Sequence, residues 1–236
     1  MTLGAGDIEA IPLPYATDTD PWVAIVLTVC FVLSAYAVGQ SKSYLLQLGK
    51  NFILHKERTN LFALPVSPNM RPLLWLILQT CILSGVYALH VFCLTSPTLF
   101  VYYQSPLLLL LYAGIALGYV LIKYGLYEFM GRVLFDGELT RQWVESYSCM
   151  IYYAGISFFF PILAIVYLQF DIKLTLIIGF IGLFLLKIGT FYKLFKFFIG
   201  QPISLLLLFL YFCALEIAPW LVIYKILIQM NSLLLT

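Results

Sequence analysis

Three ionisable side chains fall inside otherwise apolar runs of this chain: Glu216, His90 and Lys187. Glu216 stands near the middle of LLLLFLYFCALEIAPWLVIYKIL, residues 205–227, which is long enough to cross a bilayer and apolar on every face. An ionised carboxylate in hydrocarbon costs about 3 kcal/mol on insertion scales, so such a group is kept where a bundle interior, a cavity or a partner charge receives it. Pro219 follows and leaves the carbonyl of Leu215 without its helical donor, which predicts a bend. A carboxylate and an imidazole together can relay a proton or supply part of a metal shell, and a carboxylate with an ammonium can form an ion pair.

Each residue also has a plainer reading. His90 can cap a helix end near the headgroups, and Glu216 can bond a tyrosine hydroxyl or a freed carbonyl. Lys187 can reach the interface along its aliphatic stem. Two ligands do not make a metal site, and no His-x-x-x-His or paired Glu-x-x-His pattern is present. Nucleotide loops, a GxSxG elbow and HExxH are missing as well. The expectation is therefore no catalytic residue, no metal and no cofactor. Cys30, Cys81, Cys93, Cys149 and Cys213 lack ligand spacing and read as small hydrophobes.

The elements that must position these groups follow from composition. Of 236 residues, 63% are hydrophobic and 10% charged, with a mean hydropathy of +0.99. A soluble domain carries about 25% charged residues, so this chain is built for lipid. The fold class is an all-α polytopic membrane bundle of about six transmembrane helices, with short interfacial helices on the cytoplasmic side. The spans are 22–38, 73–93, 107–122, 151–168, 174–192 and 205–227, within a single transmembrane domain over 21–230. Residues 1–20, acidic and broken by Pro12 and Pro14, read as a solvated periplasmic tail without signal-peptide character. SYLLQLGKNFILHKE, 43–57, places Leu45, Leu48 and Phe52 on one side. It fits a helix in the membrane surface or a loop helix packed on the bundle. Gly114 and Gly118 form a small-xxx-small pair that permits close helix packing. Pro161 would loosen the turn before it.

Charge sets orientation. Residues 42, 50, 56, 58, 71, 123, 132, 141, 193 and 196 are ten of the thirteen Lys and Arg, and all fall in segments 39–72, 123–150 and 193–201. The positive-inside rule puts those segments in the cytoplasm and both termini in the periplasm. At 1.5 Å per residue, Glu216 lies roughly 20 Å and His90 roughly 25 Å from the cytoplasmic side, so spans 2 and 6 could bring them together. Lys187 lies about 10 Å from the depth of Glu216, long for a direct pair. A net charge of +2 gives no argument for nucleic acid.

LYFCALEIAPWLVIYKIL, with NFILHKERTNLF upstream, resembles a family of uncharacterised polytopic inner-membrane proteins from the Bacteroidota, whose last span ends in Leu-Glu-Ile-x-Pro. The matching positions are Leu215, Glu216, Ile217 and Pro219, with a looser likeness at Asn51, Phe52 and Arg58, and the resemblance covers about 22–230. It implies the inner membrane of a Gram-negative bacterium and no activity. The residues themselves favour a non-enzymatic partner or assembly subunit of an envelope complex, working among membrane lipids and other inner-membrane or periplasmic proteins. A small-solute or proton-coupled transporter and a lipid-binding or lipid-modifying protein are the rivals. A transporter would show an internal repeat, and none is visible.

Overall fold

A computed structural model describes residues 16–54, 70–96, 100, 103–134, 137–198 and 218–234. Helices account for nearly all of them: α1 Pro21–Leu54, α2 Met70–Thr95, α3 Ser105–Leu134, α4 Gly137–Ser157, α5 Phe159–Tyr167, α6 Ile172–Phe198 and α7 Ala218–Leu234. No strand occurs among the described residues. Hydrocarbon offers backbone N–H and C=O groups no partners, so a chain this apolar satisfies them within each helix.

Among the described residues, five stretches are long and apolar enough to cross a bilayer: Pro21–Gln47, Pro72–Thr95, Ser105–Phe129, Val144–Tyr167 and Ile172–Tyr192. They overlap the first five stretches read as apolar in the sequence, and most extend into the flanking charged residues. A helix does not stop at its first charged residue, because Lys, Glu and Arg are good helix formers in water. α3 is about 45 Å long, more than the hydrocarbon needs, and its far end carries an exposed Arg132–Glu128 pair at 2.8 Å. The expected sixth span is described only from Ala218 onward, and its residues 205–217 lie outside the described residues.

α2 is the axis of the bundle. Its side chains enter all three buried clusters: Leu83, Val86 and Leu89 with α1, α3 and α5; Cys81 with α3 and α4; Leu73 and Leu76 with α1 and α4. Half of its apolar window is buried, against 17% for α6, which therefore lies at the periphery. Outer faces bear Leu110, Phe180 and Leu185, each more than half exposed, as lipid contact requires. Two glycines let α2 lie close against its neighbours α3 and α4. A Cβ at Gly85 would lie 2.9 Å from the backbone nitrogen of Ala113 on α3, and one at Gly155 would overlap Thr80 of α2.

The expected solvated tail needs correction over its last residues. Thr17 and Asp20 are buried, at 4% and 6% exposure. Asp20 is the N-cap of α1: its Oδ1 accepts from the Trp22 backbone N–H at 2.8 Å, and Pro21 takes the first helical position. Segment 42–54 continues α1 past a break at Ser41 (φ −117°, ψ 15°). Leu45 enters the core beside Cys149 and Tyr152, and the Tyr153 hydroxyl donates to the Leu45 carbonyl at 2.9 Å. Of the two readings for this segment, packing on the bundle is the one that its described residues follow.

Phe158 separates α4 from α5 while keeping its own helical bonds, and Pro161, whose nitrogen has no hydrogen to give, leaves the Ser157 carbonyl without its usual helical donor. The α5–α6 link is a tight turn through Gln169, which sits at φ 48°, in the left-handed region.

Candidate functional site

His90 lies near the end of α2, 4% exposed, with Nδ1 2.7 Å from the Thr17 hydroxyl. Its Nε2 is buried and makes no hydrogen bond among the described residues. Asp18 stands beside it, and the Asp18 carboxylate accepts from the Gln169 amide of the α5–α6 turn. His90 is thus a buried anchor for the segment that enters α1. Glu216 lies outside the described residues, so the expected meeting of Glu216 with His90 or Lys187 is not visible. Pro219 is half-buried in the first turn of α7 as described.

A second polar group sits mid-bundle. Gln79 on α2 is fully buried, and its amide nitrogen donates to the Ser34 hydroxyl of α1 and to the Gly155 carbonyl of α4, the latter at 3.3 Å. One side chain so ties three helices where lipid could offer no substitute partner. Its Oε1 makes no hydrogen bond among the described residues. Sequence reasoning missed Gln79, although a lone amide inside LLWLILQTCIL is a signal.

The main polar cluster is at the opposite end of α2 from His90. Lys123, expected in a cytoplasmic loop, is 2% exposed inside α3. Its Nζ lies 5.2 Å from the ring centre of Tyr147, 5.5 Å from Tyr127 and 5.6 Å from Tyr119, and donates to the Tyr127 hydroxyl at 3.2 Å. Three electron-rich ring faces stabilise an ammonium with little water around it. The rings hold one another, Tyr147 meeting Tyr127 edge-on at 4.9 Å and Tyr124 at 5.3 Å. The i±4 placement of Tyr119 and Tyr127 about Lys123 was readable in the sequence; the third ring, from α4, was not.

Lys123, Tyr119 and Tyr147 of this cage line one wall of a cavity of about 190 Å³ between α2, α3, α4 and α6, and Lys187 and Thr190 of α6 line the facing wall. Lys187, half-buried, thus shares a cavity with Lys123. His90 is not among the walls. The hydroxyls of Thr80, Ser84 and Thr190 are engaged by the carbonyls of Leu76 at 2.7 Å, Cys81 at 2.7 Å and Leu186 at 2.9 Å. The lysines are therefore the ionic part of the wall, and no acidic residue occurs among its described residues. An adjoining cavity of about 180 Å³ shares Thr80, Ser84, Ala154, Leu183 and Leu186, and continues past Tyr87, Phe158 and Ile165 with an almost wholly apolar lining. Neither is fully enclosed. Gly179 and Gly182 make room on α6 for the rings of Tyr87 and Phe158.

Gly114 and Gly118 line neither cavity. No described atom lies within 4 Å of where a Cβ would stand at either, so within the described residues no helix packs on that pair. No cluster of three or more His, Cys, Asp or Glu residues that could hold a metal occurs among the described residues.

The model of the family described as Domain of unknown function (DUF4271) matches residues 23–227. No curated protein and no solved structure matched the chain.

Proposed function

This chain belongs to the family described as Domain of unknown function (DUF4271), and we propose that it is a non-enzymatic, lipid-binding component of the inner membrane. The observation that carries this reading is the pair of adjoining cavities between the central helices and peripheral α6, one walled by Lys123 and Lys187 and the other apolar. An amphipathic molecule matches such a pair: a polar end near the lysines and a hydrocarbon segment beyond. The apolar chamber exceeds the roughly 150 Å³ that suffices to hold a benzene ring, so it takes part of an acyl chain while the rest stays in the bilayer. The charge bias supports an orientation with the lysine end towards the cytoplasm and both termini in the periplasm.

The test is lipid analysis of protein purified in mild detergent. A stoichiometric lipid should remain bound to the wild type and be lost when Leu183→Trp fills the shared wall, where the side chain is already 39% exposed and the fold tolerates change. Equal lipid content in the two proteins refutes the reading.

A role as partner or assembly subunit of an envelope complex is compatible with lipid binding, and Glu216 is its candidate contact. Its motivation is the lone carboxylate of an otherwise apolar stretch. Glu216→Gln should leave the amount of folded protein unchanged while a co-purifying partner is lost. Retention of every partner at normal protein levels removes Glu216 from that role.

A further inference from the structure

The adjoining cavities end at an aromatic strut between α2 and α6, and the strut limits what they hold; this inference rests on the lipid-binding reading above. We propose that Tyr87 is a stop that restricts the bound lipid to an acyl chain about one leaflet long.

α6 is held against the bundle at two levels. Near its Tyr192 end the Thr190 hydroxyl lies 3.6 Å from Met150 Sδ of α4, and a Cβ at Gly189 would stand 3.0 Å from the Met150 methyl group. Towards its Ile172 end Tyr87 reaches across from α2, and its hydroxyl donates to the Thr175 carbonyl at 3.1 Å. A Cβ at Gly179 would overlap that hydroxyl, so the glycine provides the seat in which the strut rests. Phe158 of the α4–α5 joint fits against Gly182 in the same way, about one turn nearer the Tyr192 end. The cavities lie between the two levels, with Thr190 and Met150 in the wall at one end and Tyr87, Ile165 and Ile178 at the other.

The separation of the levels sets the length of the occupant. Thr190 and Ile178 are about 18 Å apart along α6, and half of a ~30 Å hydrocarbon core is about 15 Å. An extended acyl chain of one leaflet therefore fills the run and ends at Tyr87. The far part of the run offers it hydrocarbon and aromatic rings, from Leu83, Ile162 and Ile165 besides Tyr87 and Phe158. Tyr87 is fixed at both ends, by α2 and by a hydrogen bond for which lipid offers no substitute. A longer chain must push this ring aside or turn back out through the open side of the chamber, and forcing extra methylenes into a packed site is unfavourable.

The experiment uses full-length protein in mild detergent, offered equal amounts of phosphatidylcholines with dodecanoyl, hexadecanoyl or eicosanoyl chains and read by native mass spectrometry. The headgroup is held constant, so chain length is the variable. Wild type should retain the hexadecanoyl lipid at least about fivefold over the eicosanoyl lipid. Tyr87→Ala opens the end of the chamber and should bring the two within about twofold. Ile178→Trp fills the same end from a half-buried position and should shift retention towards the dodecanoyl lipid. Should Tyr87→Ala fail to fold, Tyr87→Leu carries the same expectation, because it keeps apolar bulk on α2 while removing the strut. Lipid retained by the wild type without regard to chain length overturns the stop and leaves lipid binding standing. Undiminished discrimination in the folded Tyr87 variant, or an unchanged profile in Ile178→Trp, does the same. Retention of no lipid by the wild type removes the lipid-binding reading together with this inference.

Discussion

His90 and Thr17 stand 73 positions apart and share a hydrogen bond of 2.7 Å between the imidazole Nδ1 and the threonine hydroxyl. The bond pins the chain just ahead of the Asp20 cap to the end of α2, so the entry angle of α1 is set by the central helix. Both residues are buried. Thr17→Val and His90→Phe should each cost about 1 kcal/mol. The pair should cost little more than either alone, because one bond is lost in all three variants. Unfolding midpoints in detergent, with protease cleavage at 16–20 as a local reporter, would measure this. Additive losses would mean the two side chains act separately.

The glycines divide into two kinds. Gly85→Val puts a Cβ against the α3 backbone, where no side chain can yield, and should destabilise by about 1–3 kcal/mol. Gly114→Ala and Gly118→Ala meet no described atom and should be neutral or stabilise by up to about 1 kcal/mol through helix propensity. Thermal stability of the three purified variants decides it. Strong destabilisation at 114 or 118 would reveal a neighbour on that face.

Segment 42–54 offers two adjacent leucines in opposite surroundings, Leu45 at 5% exposure and Leu46 at 54%. Leu45→Ala should lower stability by about 2 kcal/mol or more, and Leu46→Ala should stay within about 0.5 kcal/mol. Comparable losses would favour a segment held by the membrane surface rather than by Cys149 and Tyr152.

Orientation can be read with an impermeant maleimide in intact spheroplasts, using a cysteine-free background and single cysteines at Thr19, Asp171 or Arg132, all exposed. Labelling is expected at 19 and 171, and at 132 only after permeabilisation. The reverse pattern would invert the bundle and move the lysine end to the outer leaflet.

The sequence by itself determined that this is an all-α bundle for a membrane, built of long apolar helices. Those properties follow from the length and apolarity of local runs, which act one segment at a time. It also singled out His90 and Lys187, since a charge or imidazole among leucines is conspicuous without knowing its neighbours. Which groups meet was decided by tertiary structure. Lys123 read as one more cytoplasmic charge, because its sequence neighbours are mixed; burial came from Tyr147, supplied by another helix. Gly114 and Gly118 have the spacing of a packing face, yet Gly85 and Gly155 make the close approaches, because a spacing motif does not state which face of a helix turns inward. The partner of His90 proved to be Thr17, from a stretch whose acidic residues and prolines read as solvated tail. Pairing across 73 positions depends on how α1 and α2 lie side by side, and local composition carries no record of that.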